Sequence, residues 1–407
     1  GKQVVKFVPA SGAATRMFKA LFEFLKNTGG KEEDVKADAF IARFFDEIEN
    51  FAFYDDLDKI MQRNEGKTIK QALEMKNYPA ILQNLLFEDG LNYGNLPKGL
   101  LKFHRCHNGS RTPVEEHLVE GATYAHDKDG VVQLCFTVSP EHLNFFQHHI
   151  NEIKEQYEET FDVRYHVSFS KQKPATAKIA VDMDNKPLRA EDGGLVFRPG
   201  GHGTLILNLN EIDSDIIFIK NIDNVLPDKL KQQTTVYKKV IAGVLIKYQE
   251  KIVEYIKKLE SGKDVSQKLL AELDEFYRKE LCTLPPEDFE QYDESQKIAY
   301  FLKKLHRPIR VCGMVKNEGE PGGGPFWAEN PDGTSSLQIV ETTQIDPSDS
   351  EKKNMLANAT HFNPVDLVCA TKNHKGEKFD LLEYIDPQTG FITVKSMGDF
   401  NSHHSRV

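Results

Sequence analysis

The chain is 407 residues long, 39% hydrophobic, 10% aromatic and 28% charged, a composition that suits a folded, enzyme-sized protein with room for more than one core. Disorder would need fewer aromatics, and collagen-like or linker sequence would need far more than 27 Gly and 18 Pro. With 52 basic against 62 acidic residues, a net charge of −10 and no basic stripe, nucleic acid is not an expected partner.

No apolar run approaches the roughly 18–20 residues of a membrane helix, so no membrane partner is expected either. The five cysteines (Cys106, Cys135, Cys282, Cys312, Cys369) are scattered and form no C-x-x-C pair. That pattern argues for a reducing, cytoplasmic setting and against a disulfide framework or a zinc ribbon. Because the chain begins at Gly1 it reads as a processed product, and the lack of a leader excludes nothing.

In chain order, short β-rich runs are predicted at 4–8, 133–138, 163–169, 178–181, 205–209, 215–220, 308–314 and 336–340. Helix-period blocks lie between them. Phe40, Phe44, Phe45 and Ile48 share one helical face in the first block. Val240, Val244, Tyr248, Ile252, Tyr255, Ile256 and Leu259 repeat at three- and four-residue steps in a later one, and Gly262 stands where that helix would stop. Both stripes read as core packing. Strands separated by helices make the fold class α/β. The expected organisation is an α/β core over 1–225 with a helical insertion at about 18–95, a helical insertion at 226–305, and a continuation of the core over 306–407.

Three segments carry chemistry. In the first, the strand Val4-Val5-Lys6-Phe7-Val8 runs through Pro9 into the turn Ala10-Ser11-Gly12-Ala13-Ala14-Thr15-Arg16 and then a helix beginning near Met17. Small residues let backbone N–H groups approach an anion, a helix N-terminus favours it, and an arginine donates to it bidentately. The spacing is neither that of a P-loop nor G-x-G-x-x-G, and a tight strand-to-helix turn without a ligand is an equal reading.

In the second, Pro97-Lys98-Gly99 presents a lysine from a loop as a point charge for phosphate, although such turns are common on surfaces. Thr112 and Pro113 after it read as a helix cap and first turn. In the third, Phe197-Arg198-Pro199-Gly200-Gly201-His202-Gly203 precedes an apolar strand that ends in Asn221-Ile222-Asp223-Asn224. A carboxylate there sits at the carboxyl edge of a sheet, where open α/β folds bind ligands, and it suits Mg²⁺, which takes few protein ligands. An Asx-turn at a strand end is the plainer alternative.

The order of these motifs resembles the UDP-sugar pyrophosphorylases, over roughly 2–20, 95–225 and 308–370. That resemblance implies a Rossmann-like, glycosyltransferase-A-like, mixed and mostly parallel sheet flanked by helices. It implies catalytic Arg16 and Lys98, and a nucleotide held by Ser11, Gly12, Ala13, Ala14, Thr15, Gln172, Gly200, Gly201 and His202, with Gln172 and Gly201 at the uracil. It further implies Asp223 as the ligand of Mg²⁺, and Gly313, Glu341 and Asn358 as sugar-side residues. The partners implied are a nucleoside triphosphate and a sugar 1-phosphate, joined with release of pyrophosphate.

The chain also departs from the family. Ala14 stands where a second glycine is usual, which would bring a methyl close to the phosphates. A long helical insert separates Thr15-Arg16 from Pro97-Lys98. Lys372 and Lys395 are the candidates for the family's C-terminal lysine. These departures read as a remote bacterial relative in a domain family without an assigned function.

Asp182-Met183-Asp184 matches the D-x-D of metal-dependent glycosyltransferases but reads as a hairpin turn with Asn185. The glycine run before Trp327 reads equally as a lid or a plain loop. A nucleotide-sugar-dependent glycosyltransferase and a non-catalytic nucleotide-sugar binding protein are the alternatives to nucleotidyl transfer.

Overall fold

The computed structural model describes residues 2–392, 394–396 and 404–406, apart from 13, 15–16, 108, 263–264 and 320–321. Six strands make the central sheet: β1 (Val4–Pro9), β2 (Val131–Val138), β3 (Arg164–Lys171), β4 (Ile216–Lys220), β5 (Ile309–Cys312) and β6 (Asp366–Ala370), in the order β5-β6-β4-β1-β2-β3. β1 and β2 are parallel, with Lys6 opposite Leu134, and so are β2 and β3, with Leu134 opposite Val167. β4 runs in the direction of β1, since Ile216 N–H donates to Gln3 O and Ile222 N–H to Pro9 O, both at 3.1 Å. The edge pair β5–β6 is antiparallel. The sheet is therefore mixed and mostly parallel, and helices flank it, as the alternation of strand and helix patterns predicts.

The chain divides into two units across β1 and β4, one made of Lys6–Gln172 and Lys220–Tyr237, the other of Lys2–Val5, Lys173–Ile219 and Lys238–Val407. In the first unit, Val132, Leu134, Phe136 and Val138 of β2 pack against Val114, Leu118 and Val119 of the Pro113–Tyr124 helix and Phe146, Ile150 and Tyr157 of the Leu143–Phe161 helix. The helical block after β1 has its own aromatic core, which includes Phe24, Phe44, Phe45, Phe53, Leu57 and Ile81. Some of its helices start where a side chain caps them. Asp38 accepts from Phe40 N–H and Ile41 N–H, and Thr68 forms a reciprocal capping box with Gln71. Phe44, Phe45 and Ile48 are buried as the stripe predicts, but Phe40, in the first turn after its cap, is 55% exposed.

The helix Asp228–Ser261 starts in the first unit and, in the second, stops at Gly262, whose φ of +63° is the left-handed conformation that ends helices cheaply at glycine. Its buried stripe holds Leu245, Tyr255, Ile256 and Leu259, whereas Val240 faces solvent. The strand expected at 205–209 is instead a 3-10 turn, His202–Leu205, followed by the short helix Ile206–Asn210. A short, nearly continuous apolar run does not by its period distinguish strand from helix. Several strands escape the sequence pattern, and two of them are longer than four residues. Gly323–Glu329 pairs antiparallel with Ser335–Glu341, although its Gly-Gly-Pro start reads as a loop, and Asp366–Ala370 enters the central sheet. Among the described residues, no helix is long and apolar enough to cross a membrane.

Candidate functional site

Within the first unit, β1, β2 and β3 point their carboxyl ends to one edge, and the turn after β4 is tied to the same edge by the Ile222–Pro9 hydrogen bond. Ser11 and Gly12 leave β1 there, Ser11 half-buried and Gly12 exposed with open space where a Cβ would stand. Ala14 is fully buried, and its methyl belongs to the aromatic core of the helical block rather than to the open side of the loop. Ala13, Thr15 and Arg16 lie outside the described residues. Gln172 follows β3, and its N–H donates to Val138 O at 3.0 Å.

Lys98 reaches this edge from the far end of the helical block. Its N–H donates to Gly12 O at 3.2 Å, and its Nζ pairs with Asp223 Oδ2 at 2.6 Å. Gly99 permits the approach, because a Cβ there would stand 2.8 Å from Phe146 Cζ and 3.1 Å from Ile222 Cγ1. The side chains of Lys98 and Asp223 keep 29% and 37% of their exposure, so both are open to solvent and to a ligand. A half-exposed pair contributes only about 1 kcal/mol or less to stability. Residues 12, 98 and 223, far apart in sequence, thus meet at one place.

Beneath this edge lies a cluster that the sequence reading missed. The Pro113–Tyr124 helix turns His117, Glu120 and Tyr124 inward at spacings of three and four residues. Glu120 Oε2 accepts from Lys6 Nζ of β1 at 2.9 Å and from Tyr124 Oη at 2.9 Å, and Oε1 accepts from Lys220 Nζ of β4 at 2.7 Å. All of these side chains are buried. Burial, opposed by Glu120, brings the Lys6 amine down to about 8. Burial pushes the Glu120 carboxyl up, but Lys6 and Lys220 outweigh it and hold Glu120 well below the usual carboxylate range.

His117 is kept neutral by its burial and by Lys6. Nearby, Glu116 takes Lys231 at 2.6 Å and His104 at 3.0 Å, while Arg111 pairs with Asp228 at 2.5 Å. The sequence signals for this helix are the Thr112 cap and Pro113 in its first turn; the structure contains both, with Glu115 completing a capping box.

In the second unit, Gly200 has no room for a Cβ, which would stand 2.7 Å from Thr176 O, and Gly201 O accepts from Thr204 N–H and Oγ1. His202 begins the 3-10 turn. Gly313 donates its N–H to Asp366 O at 2.8 Å and accepts from Asn363 Nδ2 at 2.6 Å. Asn363 N–H in turn donates to Gly323 O, and Gly323 pairs with Glu341, so Gly313 and Glu341 are linked through Asn363. Glu341 also caps the 3-10 turn Thr342–Gln344. Asn358 is not part of this group; it caps the Ser350–Ala357 helix, exposed, with Nδ2 donating to Asn354 O. The buried asparagine of that segment is Asn363.

Asp182 Oδ1 accepts from the N–H groups of Asp184 and Lys186, with Asn185 at φ +62°, which makes the D-x-D a hairpin turn. Lys372 is paired with Asp213 and Asp215.

Residues 1–400 match the family described as Domain of unknown function (DUF4301). The chain belongs to the DUF4301 family. No curated protein matches it. Among solved structures, the DUF4301 chain is similar to a mutant UDP-glucose pyrophosphorylase from Leishmania major in complex with UDP-glucose, at 13% identity and TM-score 0.33 over 76% of this chain and 53% of that one. It is similar to a putative UDP-N-acetylglucosamine pyrophosphorylase from Entamoeba histolytica at 12% identity and TM-score 0.37, over 77% and 64%. It is also similar to the uridine diphosphate N-acetylglucosamine pyrophosphorylase of Trypanosoma brucei in complex with inhibitor, at 12% and 0.37, over 77% and 50%. The DUF4301 chain thus spans half to under two thirds of the length of these solved chains.

Among the described residues of the DUF4301 chain, no three His, Cys, Asp or Glu side chains gather closely enough to hold a metal ion. A zinc-type site needs such a group; Mg²⁺ bridging one carboxylate to substrate phosphates does not. Asp223, partly exposed and bound to Lys98 through Oδ2, fits the second kind of ion.

Proposed function

We propose that this protein is a nucleotidyltransferase that joins a nucleoside triphosphate, UTP in the first instance, to a sugar 1-phosphate. The observation that carries the reading is the Lys98–Asp223 pair, 2.6 Å apart beside the Gly12 turn at the carboxyl edge of parallel strands. A fixed cation and a carboxylate in contact, both open to solvent, make a latent site for a metal-bound phosphate. The lysine can turn to phosphate oxygens, and the carboxylate is then freed for the cation.

In the reaction, a phosphate oxygen of the sugar 1-phosphate attacks the α-phosphorus in line. A new Pα–O bond forms, the bond from Pα to the bridging oxygen breaks, and pyrophosphate leaves with the electron pair. The protein's part is placement and charge. Lys98 would neutralise the phosphates, the Ser11–Gly12 turn would offer backbone N–H groups, and Arg16 is assigned a bidentate contact. Asp223 would hold Mg²⁺, which supplies further neutralisation of the phosphate charge when bound.

The test is pyrophosphate release from nucleoside triphosphates and a panel of sugar 1-phosphates, with wild type and Asp223→Asn side by side. Magnesium-dependent release that disappears in Asp223→Asn is expected. Turnover that persists in EDTA, or a fully active mutant, overturns the assignment of Asp223. Tight nucleotide-sugar binding with no turnover by the wild type replaces the enzyme reading with that of a binding protein.

A further inference from the structure

His117 makes contacts whose purpose the buried ion cluster does not explain. Its Nε2 lies 3.2 Å from both Asn221 O and Ile222 O. Carbonyl oxygens only accept, so Nε2 must carry the ring's proton and donate to them. The neutral ring then leaves Nδ1 as a bare lone pair, and that atom is buried with no hydrogen-bond partner among the described residues. A buried, unsatisfied acceptor is destabilising, so the ring gives up satisfaction on one side to hold a turn on the other.

The turn it holds is the one that carries Asp223. Ile222 N–H is tied to Pro9 O at the end of β1, and Asn224 N–H closes back on Asn221 O at 3.1 Å. His117 takes the carbonyl side of the same peptides. Both faces of the turn are therefore anchored, one to the sheet and one to the Pro113–Tyr124 helix. That helix is in turn fixed one turn further on, where Glu120 grips Lys6 of β1 and Lys220 of β4.

We infer that His117 is a positioning residue: it sets the Asn221–Asp223 turn so that the Asp223 carboxylate meets Lys98. The phosphate-site reading above gives this arrangement its use, but the inference concerns the pair itself and is tested without nucleotide.

The test compares the acylation rate of the Lys98 amine, read by mass spectrometry under competition labelling, in wild type, Asp223→Asn, His117→Leu and His117→Gln. Asp223→Asn defines the rate of an unpaired Lys98. The expected result is that His117→Leu, folded by circular dichroism, labels Lys98 as fast as Asp223→Asn does. His117→Gln, whose amide can place an N–H where Nε2 stood, should return the rate toward that of wild type. A folded His117→Leu whose Lys98 is as protected as in wild type overturns the inference, and so does a failure of glutamine to outperform leucine.

Wild-type protein alone gives a second reading, which holds even if the leucine variant does not fold. Histidine-selective ¹⁵N spectra should contain a neutral Nε2–H tautomer that does not titrate between roughly pH 5 and 8, where ordinary histidines do. Spectra in which every histidine titrates there overturn the inference. A wild type that protects Lys98 through Asp223 but binds no nucleotide would count against the phosphate reading only.

Discussion

Two helical regions of the first unit bury their inner faces in opposite ways. The block of helices between Lys19 and Leu86 fills its interior with Phe24, Phe44, Phe45, Leu57, Ile81 and their neighbours. The Pro113–Tyr124 helix mixes Val114 and Leu118 with Glu115, Glu116, His117 and Glu120, all buried. The first interior is non-directional, and volume-conserving changes repack it. The second is built of charge-assisted contacts that exist in one geometry only, and such clusters are a poor source of net stability. Apolar packing therefore holds the helical block together, while the ion cluster sets the orientation of a helix against β1 and β4, next to the turn that carries Asp223.

The sharpest way to break this contrast is Glu120→Ala, which strands two buried lysines. We expect a loss of about 3–5 kcal/mol in urea unfolding. Lys6→Met leaves Lys220 and Glu120 as a balanced pair, so its loss should be less than about half of that. Equal losses would show that charge balance is not what the cluster maintains. In the aromatic core, Leu57→Ala should cost about 3 kcal/mol by leaving a cavity, whatever the pH.

The two interiors should also differ in alkali. The Lys6 amine falls from 10.5 to about 8 on folding, so between those values the unfolded chain holds more protons. The penalty for burying this charge is in full force below pH 8, and stability should climb by on the order of 2–3 kcal/mol as pH rises toward about 10. Beyond that, Tyr93, Tyr157 and Tyr165, all pushed up by burial, reverse the trend, because the unfolded chain loses their protons first. Denaturant midpoints across pH 8–10 in wild type and Lys6→Met check this (the climb should vanish in the variant).

Smaller effects refine the comparison. Thr112→Ala removes the cap of the ion-bearing helix and should cost about 1 kcal/mol in the same unfolding assay. Asp223→Asn should change stability by less than about 1 kcal/mol, because its pair with Lys98 is half-exposed. A large destabilisation there would make the pair structural and weaken its reading as a ligand site.

The parts of this protein that could be read from sequence are those set by local chemistry. Gly262 ends its helix and Thr112 starts another because capping depends on the nearest few residues. Lys98 and Asp223 could be singled out because each stands in a short turn motif. What could not be read is the lining between them. Glu120 and His117 occupy core positions of a helix with side chains that normally mark a solvent face, and Lys6 interrupts an otherwise apolar strand. Asn358 and Asn363 differ by five positions, and only packing decides that the second one reaches Gly313.

By itself, the sequence determined the α/β class, five of the six central strands, the start of one helix at Thr112 and the end of another at Gly262, since periodicity and capping act over a few residues. Tertiary structure alone decided that Lys98 meets Asp223, and that Glu120 bridges Lys6 and Lys220. It also decided that Ala14 turns its methyl into a core, and that His117 spends its single proton on the turn before Asp223. Those outcomes join segments up to 125 residues apart. A buried charge is tolerable only where its partner arrives from another element, and no local pattern records which partner that will be.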